Sequence, residues 1–129
     1  MTKAMTNRLL RAAKAAARHS YSPYSSFPVG AAVLTGKGRI FSGTNVENGS
    51  YGLTVCAERV AIFKVVAAGQ RRIAALLVYT DTDKCTPPCG ACLQVLAEFG
   101  ENPEVALACR KGLKHLRLDD LLPVRFVLR

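Results

Sequence analysis

The sequence predicts a single α/β domain over residues 1–129, with helices covering a mixed sheet. Segments of helical and strand type follow one another in the order α-β-β-α-β-α-β, the pattern of helices packed on a sheet. The chain has 129 residues, 50% of them hydrophobic and 21% charged, enough for one packed core and too short for two ordinary domains. That composition excludes disorder, collagen and coiled coil. No apolar run approaches the ~18 residues that a membrane span requires, and there are no repeats, linkers or low-complexity stretches.

The elements follow in order. Thr6 to Arg18 is read as a helix because Leu9, Leu10, Ala13 and Ala17 recur at helical spacing. The turn-rich stretch Ser20–Ser26 ends it. Val29–Thr35 and Arg39–Asn45 are read as strands joined through Gly36-Lys37-Gly38 as a hairpin. Asn45 to Tyr51 is polar and contains glycine, hence a loop. Thr54 is positioned to cap a helix from about Cys56 to Ala68, with Val60, Phe63, Val66 and Ala67 as its apolar face. Ile73–Thr80 is a continuous apolar run of strand length, expected to be buried on both faces. After the loop Asp81–Pro88, a proline near the start favours a helix over Cys89–Phe99. Val105–Cys109 suggests a further strand, and Asp119–Leu122 a terminal turn before Pro123.

Charge and cysteine content narrow the function. Lys and Arg number 18 against 9 Asp and Glu, a formal +9. The basic residues concentrate in Lys3–Arg18 and Arg110–Arg117. Without tryptophan, or aromatics interleaved among the cations, this reads as solvated surface more readily than as a nucleic-acid groove. Five cysteines, an odd count that includes a Cys-x-x-Cys pair, argue against a secreted disulfide framework. The Arg-rich, acid-free start superficially resembles a transit peptide, but the amphipathic helix is the simpler reading, and a reducing cytoplasm is expected.

Three of the thiols carry the chemistry. Cys89-Gly90-Ala91-Cys92 opens one predicted helix directly after Pro88, and Cys56 opens the other long helix with Glu58 two residues on. Helix N-termini favour anions and so favour thiolates. Three converging sulfurs without a fourth protein ligand leave one tetrahedral position of zinc open for water. Glu58 is then placed to move protons between that water and a substrate nitrogen. The arrangement Cys56-Ala57-Glu58 followed by Pro88-Cys89-x-x-Cys92 is the signature of zinc nucleobase deaminases. Taken alone, the Cys-x-x-Cys is also compatible with a redox pair. A closed structural zinc site is a further alternative, its fourth ligand drawn from Cys85, Cys109, His19 or His115; otherwise Cys109 is a small buried hydrophobe. A phosphate loop around Gly30, Gly36 and Lys37 fails on spacing and on Gly38 in place of Ser or Thr.

The blocks Tyr21–Ala32, Asn45–Asn48, Ser50–Gly52, Cys56–Arg59, Pro88–Cys92, Gln94-Val95 and Leu121–Pro123 ahead of Phe126 resemble the small homotetrameric zinc-dependent cytidine deaminases. The resemblance covers nearly the whole chain. It implies a three-layer α/β/α fold with a mixed five-stranded sheet, and deamination of cytidine and deoxycytidine in pyrimidine salvage. It further implies one zinc ion per subunit, held by Cys56, Cys89 and Cys92, with Glu58 as the proton shuttle. By the same resemblance, Phe27 packs on the pyrimidine, Asn45 and Glu47 hydrogen-bond the ribose hydroxyls, the Ala57 backbone meets the base edge, and Arg59 bonds the zinc thiolates. Tyr51 and Phe126 match positions that reach a site shared between subunits of a homotetramer. Two positions depart from the family's habit: Leu93 stands where a basic residue is common, and Val60 where threonine is common. Leu93 is read as a tolerated surface or interface change. The rival readings are a deaminase of a modified cytosine nucleoside or of blasticidin S, a polynucleotide-editing deaminase, and a structural zinc module.

Overall fold

The computed structural model describes residues 1–129. Helix α1 (Lys3–Ala17) precedes strands β1 (Val29–Thr35) and β2 (Ile40–Thr44), and a 3-10 turn at Tyr51–Leu53 leads into α2 (Ala57–Ala67). Strand β3 (Ile73–Thr80), helix α3 (Gly90–Glu98), strands β4 (Glu104–Cys109) and β5 (Gly112–Arg117), and the short helix α4 (Leu118–Leu121) complete the chain. The five strands lie in the order β2-β1-β3-β4-β5. β3 and β4 run parallel, and every other pairing is antiparallel. The sheet is thus mixed and five-stranded, as expected.

Alternation along the central strands gives the sheet two buried faces. Val33, Leu76, Val78, Val105 and Leu107 pack with α2 and α3, whereas Ala32, Ala75, Leu77 and Ala106 pack with α1. The result is three layers. Both outer layers approach the sheet through a glycine. A Cβ on Gly30 would lie 1.9 Å from the Ala13 carbonyl oxygen of α1. One on Gly43 would lie 2.6 Å from both Ala57 O and Ala61 N of α2. Those two glycines let helix backbones sit directly on the strands.

Several expectations need correction. Helix α1 starts earlier than the apolar spacing indicated, because Thr2 caps it by accepting a hydrogen bond from Met5 N at 3.1 Å. Thr54 does not cap α2; Cys56 holds that position, and the Thr54 hydroxyl accepts from Asn48 N. The buried face of α2 is Ala57, Glu58, Ala61, Ile62 and Val65, not the face of Val60, Phe63, Val66 and Ala67, and Phe63 is 49% exposed. This helix is apolar almost all round, so periodicity could not orient it; the small residues facing Gly43 do. Leu93 is no surface substitution: it is buried among Ile62, Leu96 and their neighbours in the core. Strand β5 escaped the segment-by-segment reading because Lys114, His115 and Arg117 make it a charged edge strand. Cys109, neither a lone buried hydrophobe nor a metal ligand, forms a disulfide with Cys85. No helix is long and apolar enough to cross a membrane.

Candidate active site

The site forms where β1 begins and β3 ends, at the paired residues Val29 and Thr80. Two helix N-termini point at this place. Cys56 is the N-cap of α2 and Cys89 the N-cap of α3, with Cys92 in the first turn of α3. The loop after β3 delivers α3, and the loop after β2 delivers α2. The sulfur of Cys89 lies 3.9 Å from that of Cys56 and 3.5 Å from that of Cys92, and all three lie within 4.8 Å of one another. Three thiolates around one zinc at the usual Zn–S length of about 2.3 Å stand about 3.8 Å apart. The donor set therefore fits a zinc ion. Cys85 and Cys109, the alternative sulfur ligands for a closed site, are bonded to each other.

Electrostatics within the cluster agree with that function. The Cys56 thiol is held down at about 5 by the neighbouring Cys92 thiol and, beyond its partial burial, by Arg59, whose Nη2 donates to Cys56 Sγ at 3.5 Å. Cys92 is pushed up by the neighbouring Cys56 and by its burial. Cys56 is thus the more acidic of the two thiols, next to the guanidinium and at a helix N-terminus. The Arg59 Nε is buried without a hydrogen-bond partner, so this side chain is committed to the cluster through its terminal nitrogen alone. Glu58, only 5% exposed in the first turn of α2, has its carboxyl pushed up to about 7, chiefly by burial.

The thiols open onto a cleft of about 370 Å³ whose walls include Phe27, Asn45, Glu47, Ala57 and Glu58. Asn45 and Glu47 face it together because residues 45–47 are extended and alternate sides. This short segment is pinned by bridges from Val46 to both Tyr21 and Val55. Both polar side chains are largely committed. Asn45 Oδ1 accepts from Ser20 Oγ at 2.6 Å and Val29 N at 3.0 Å, while Nδ2 donates to Phe27 O at 2.8 Å. Glu47 Oε1 accepts from Tyr24 N and Ser25 N at 3.0 and 3.1 Å, and Oε2 accepts from the Ser25 hydroxyl. The Ser25 contacts also hold the Glu47 carboxyl below its ordinary range. One Asn45 N–H and about one Glu47 lone-pair site are left for a ligand.

Of the residues singled out from sequence, Cys56, Cys89, Phe27, Asn45, Glu47, Ala57 and Glu58 line this cleft, with Cys92 and Arg59 at the thiol cluster. Tyr51 and Phe126 do not line it. Tyr51 is 74% exposed with its ring edge-on to Tyr24 at 5.9 Å, and Phe126 is 70% exposed. Ser25, Thr86 and Pro87 also line the cleft and were not singled out. For Thr86 and Pro87 the available signal was adjacency to the ligand pair, since a loop that delivers Cys89 also walls its site.

A sheet that brings three thiols and a buried carboxylate to two helix N-termini defines a hydrolytic deaminase of the zinc type. Residues 3–109 match the family described as "Cytidine and deoxycytidylate deaminase zinc-binding region". The chain belongs to that family and is an enzyme of its hydrolytic deaminase class. A cytidine deaminase of Sporosarcina psychrophila is 44% identical over 121 residues, covering 92% of this chain and 89% of that protein. The crystal structure of cytidine deaminase from Burkholderia pseudomallei superposes with a TM-score of 0.89 at 46% identity, covering 98% of this chain and all of that one. A blasticidin-S deaminase of Bacillus cereus is more distant, 27% identical over 106 residues and covering 76% of each chain.

Proposed function

We propose that this chain, as a single catalytic domain over residues 1–129, converts cytidine and deoxycytidine to uridine and deoxyuridine with release of ammonia. One observation carries the reading: the three-thiol cluster and the buried Glu58 share a cleft with Phe27, Asn45 and Glu47. Phe27 supplies an apolar surface for the pyrimidine ring. The remaining Asn45 N–H and Glu47 lone pair offer one donor and one acceptor, which suits a sugar hydroxyl. The Ala57 backbone lies at the base edge, beside Glu58.

Bound to Cys56, Cys89 and Cys92, zinc supplies the Lewis acidity that makes water a nucleophile near neutral pH. Glu58 takes a proton from the water that adds to C4 of cytosine and delivers it to N3. It then carries the proton of the new C4 hydroxyl to the amino group, which leaves as ammonia as the C4 carbonyl forms. Burial raises the Glu58 carboxyl above its ordinary range in the metal-free chain, which favours a group that both accepts and returns a proton. Arg59 offsets the negative charge that three thiolates place on the centre.

The lower identity to the blasticidin-S enzyme supports cytidine over that substrate. A place in pyrimidine salvage, a cytoplasmic location and a homotetramer with shared active sites complete the proposal; the location no longer draws support from the cysteines, since Cys85 and Cys109 are paired and a disulfide runs against a reducing compartment. Exposed Tyr51, Leu53, Val124, Phe126 and Leu128 support the assembly, since apolar side chains in such number find cover between subunits.

The test is chromatographic assay of uridine formed from cytidine by purified, zinc-loaded protein. Uridine should appear with wild type. Glu58→Gln should retain zinc and lose at least about 10²–10⁴ in turnover. A folded, zinc-loaded wild type that forms no uridine, or a Glu58→Gln variant close to wild type, overturns the assignment.

A further inference from the structure

Ser25 takes no part in the proton chemistry, yet it touches both halves of the substrate-recognition surface. Its hydroxyl donates to Glu47 Oε2 and accepts from Phe27 N at 3.1 Å. Its backbone N–H adds a bond to Glu47 Oε1 at 3.1 Å. Between Ser25 and Phe27 stands Ser26, at φ +55°, the left-handed region that serine enters at a cost of about 1 kcal/mol or more. The Ser25 hydroxyl closes the turn across that residue and ties it to Glu47, which lies 22 positions further along the chain. The two groups it joins face one cleft, and no other side chain hydrogen-bonds both of them.

We propose that Ser25 is a positioning residue for substrate recognition, its hydroxyl setting the separation between the aromatic that carries the pyrimidine and the carboxylate that carries the sugar. Base and sugar are then read as one rigid unit. The inference rests on the nucleoside reading given above. Removing the hydroxyl takes a donor from Glu47 Oε2 and an acceptor from Phe27 N together, and it leaves Glu58 and the thiols untouched. Binding should suffer while the chemical step does not.

The experiment is steady-state kinetics on cytidine for wild type, Ser25→Ala, Ser25→Thr, Glu47→Gln and the Ser25→Ala/Glu47→Gln double variant, all zinc-loaded, with uridine binding measured by calorimetry. Ser25→Ala should raise KM about tenfold with kcat within about twofold, and weaken uridine by a similar factor. Ser25→Thr keeps the hydroxyl and should stay within about threefold of wild type. Because Ser25 acts by tying Glu47 to Phe27, the loss of the double variant should fall clearly short of the product of the single losses. A Ser25→Ala KM near that of wild type, a threonine variant as weak as the alanine variant, or a double variant whose loss is the product of the single losses overturns the proposal. Failure of wild type itself to turn over cytidine or bind uridine would strike the nucleoside reading and this inference together, and so is distinguishable from failure at Ser25 alone.

Discussion

Glu58 shows most directly what burial does to a single side chain. Its carboxyl moves from an ordinary value of 4.5 up to about 7, because the first turn of α2 and the core beneath it remove water from the charged form. Since the folded pKa lies above the unfolded one, the native zinc-free protein holds this proton more tightly. The resulting stability is fully present below pH 4.5 and is lost as pH rises through 7. Glu58→Gln removes that dependence. In chelator, the variant should be more stable than wild type at pH 8 by on the order of 2–3 kcal/mol, and equal to it near pH 4. Urea unfolding at the two pH values measures this, and parallel stabilities at both would refute it. Other residues were less legible. The thiols were readable because metal ligation demands a spacing. The bonds of Asn45 to Ser20, Val29 and Phe27 come from distant positions and leave no spacing to read. A side chain expected to serve the ligand thus spends most of its capacity on the protein.

At the scale of elements, the site depends on how closely α2 lies against β2. Gly43 makes that approach possible, and the helix it admits carries Cys56 at its cap and Glu58 in its first turn. Gly43→Ala would put a methyl carbon within 2.6 Å of two α2 backbone atoms, which no rotamer relieves. The helix must move. The variant should lose about 2 kcal/mol or more in stability and bind zinc more weakly, because Cys56 shifts relative to the α3 thiols. Competition with a colorimetric chelator reads the second effect; unchanged zinc affinity would mean that the Gly43 contact does not set the metal geometry. The same helix explains why its buried face was misassigned. With Val60, Ile62, Phe63, Val65 and Val66 spread round it, hydrophobicity carried no direction. The informative residues were the small ones, Ala57 and Ala61, which sequence patterning treats as weak signals. Strands β1 and β3 were legible to the residue, since apolar runs buried on both faces have unambiguous ends.

For the molecule as a whole, the α/β class followed from the alternation of elements, but β5 did not, because an edge strand of charged residues lacks the pattern of a half-buried one. The Cys85–Cys109 bond was equally hidden: an odd thiol count and a metal motif pointed to free cysteines. That bond closes a segment with a sequence separation of 24, which contains all of α3 and β4. Loop-closure entropy for such a segment corresponds to about 3.5 kcal/mol of stabilisation. Thermal melting with and without a dithiol reductant, zinc present throughout, should show a lower Tm for the reduced form, and identical melting would remove the bond from the stability of the fold.

The disulfide also has a consequence for how the chain acquires its structure. Of all the pairings that five thiols allow, only one leaves the metal cluster intact, and Cys85 is separated from the ligand Cys89 by only three residues. Oxidation before metal uptake would draw ligand sulfurs into competing bonds by thiol exchange. Zinc captured early would mask Cys56, Cys89 and Cys92 in the manner of a synthetic protecting group, leaving Cys85 and Cys109 as the sole pair free to close. In this chain the catalytic metal would also act as an editor of oxidative folding.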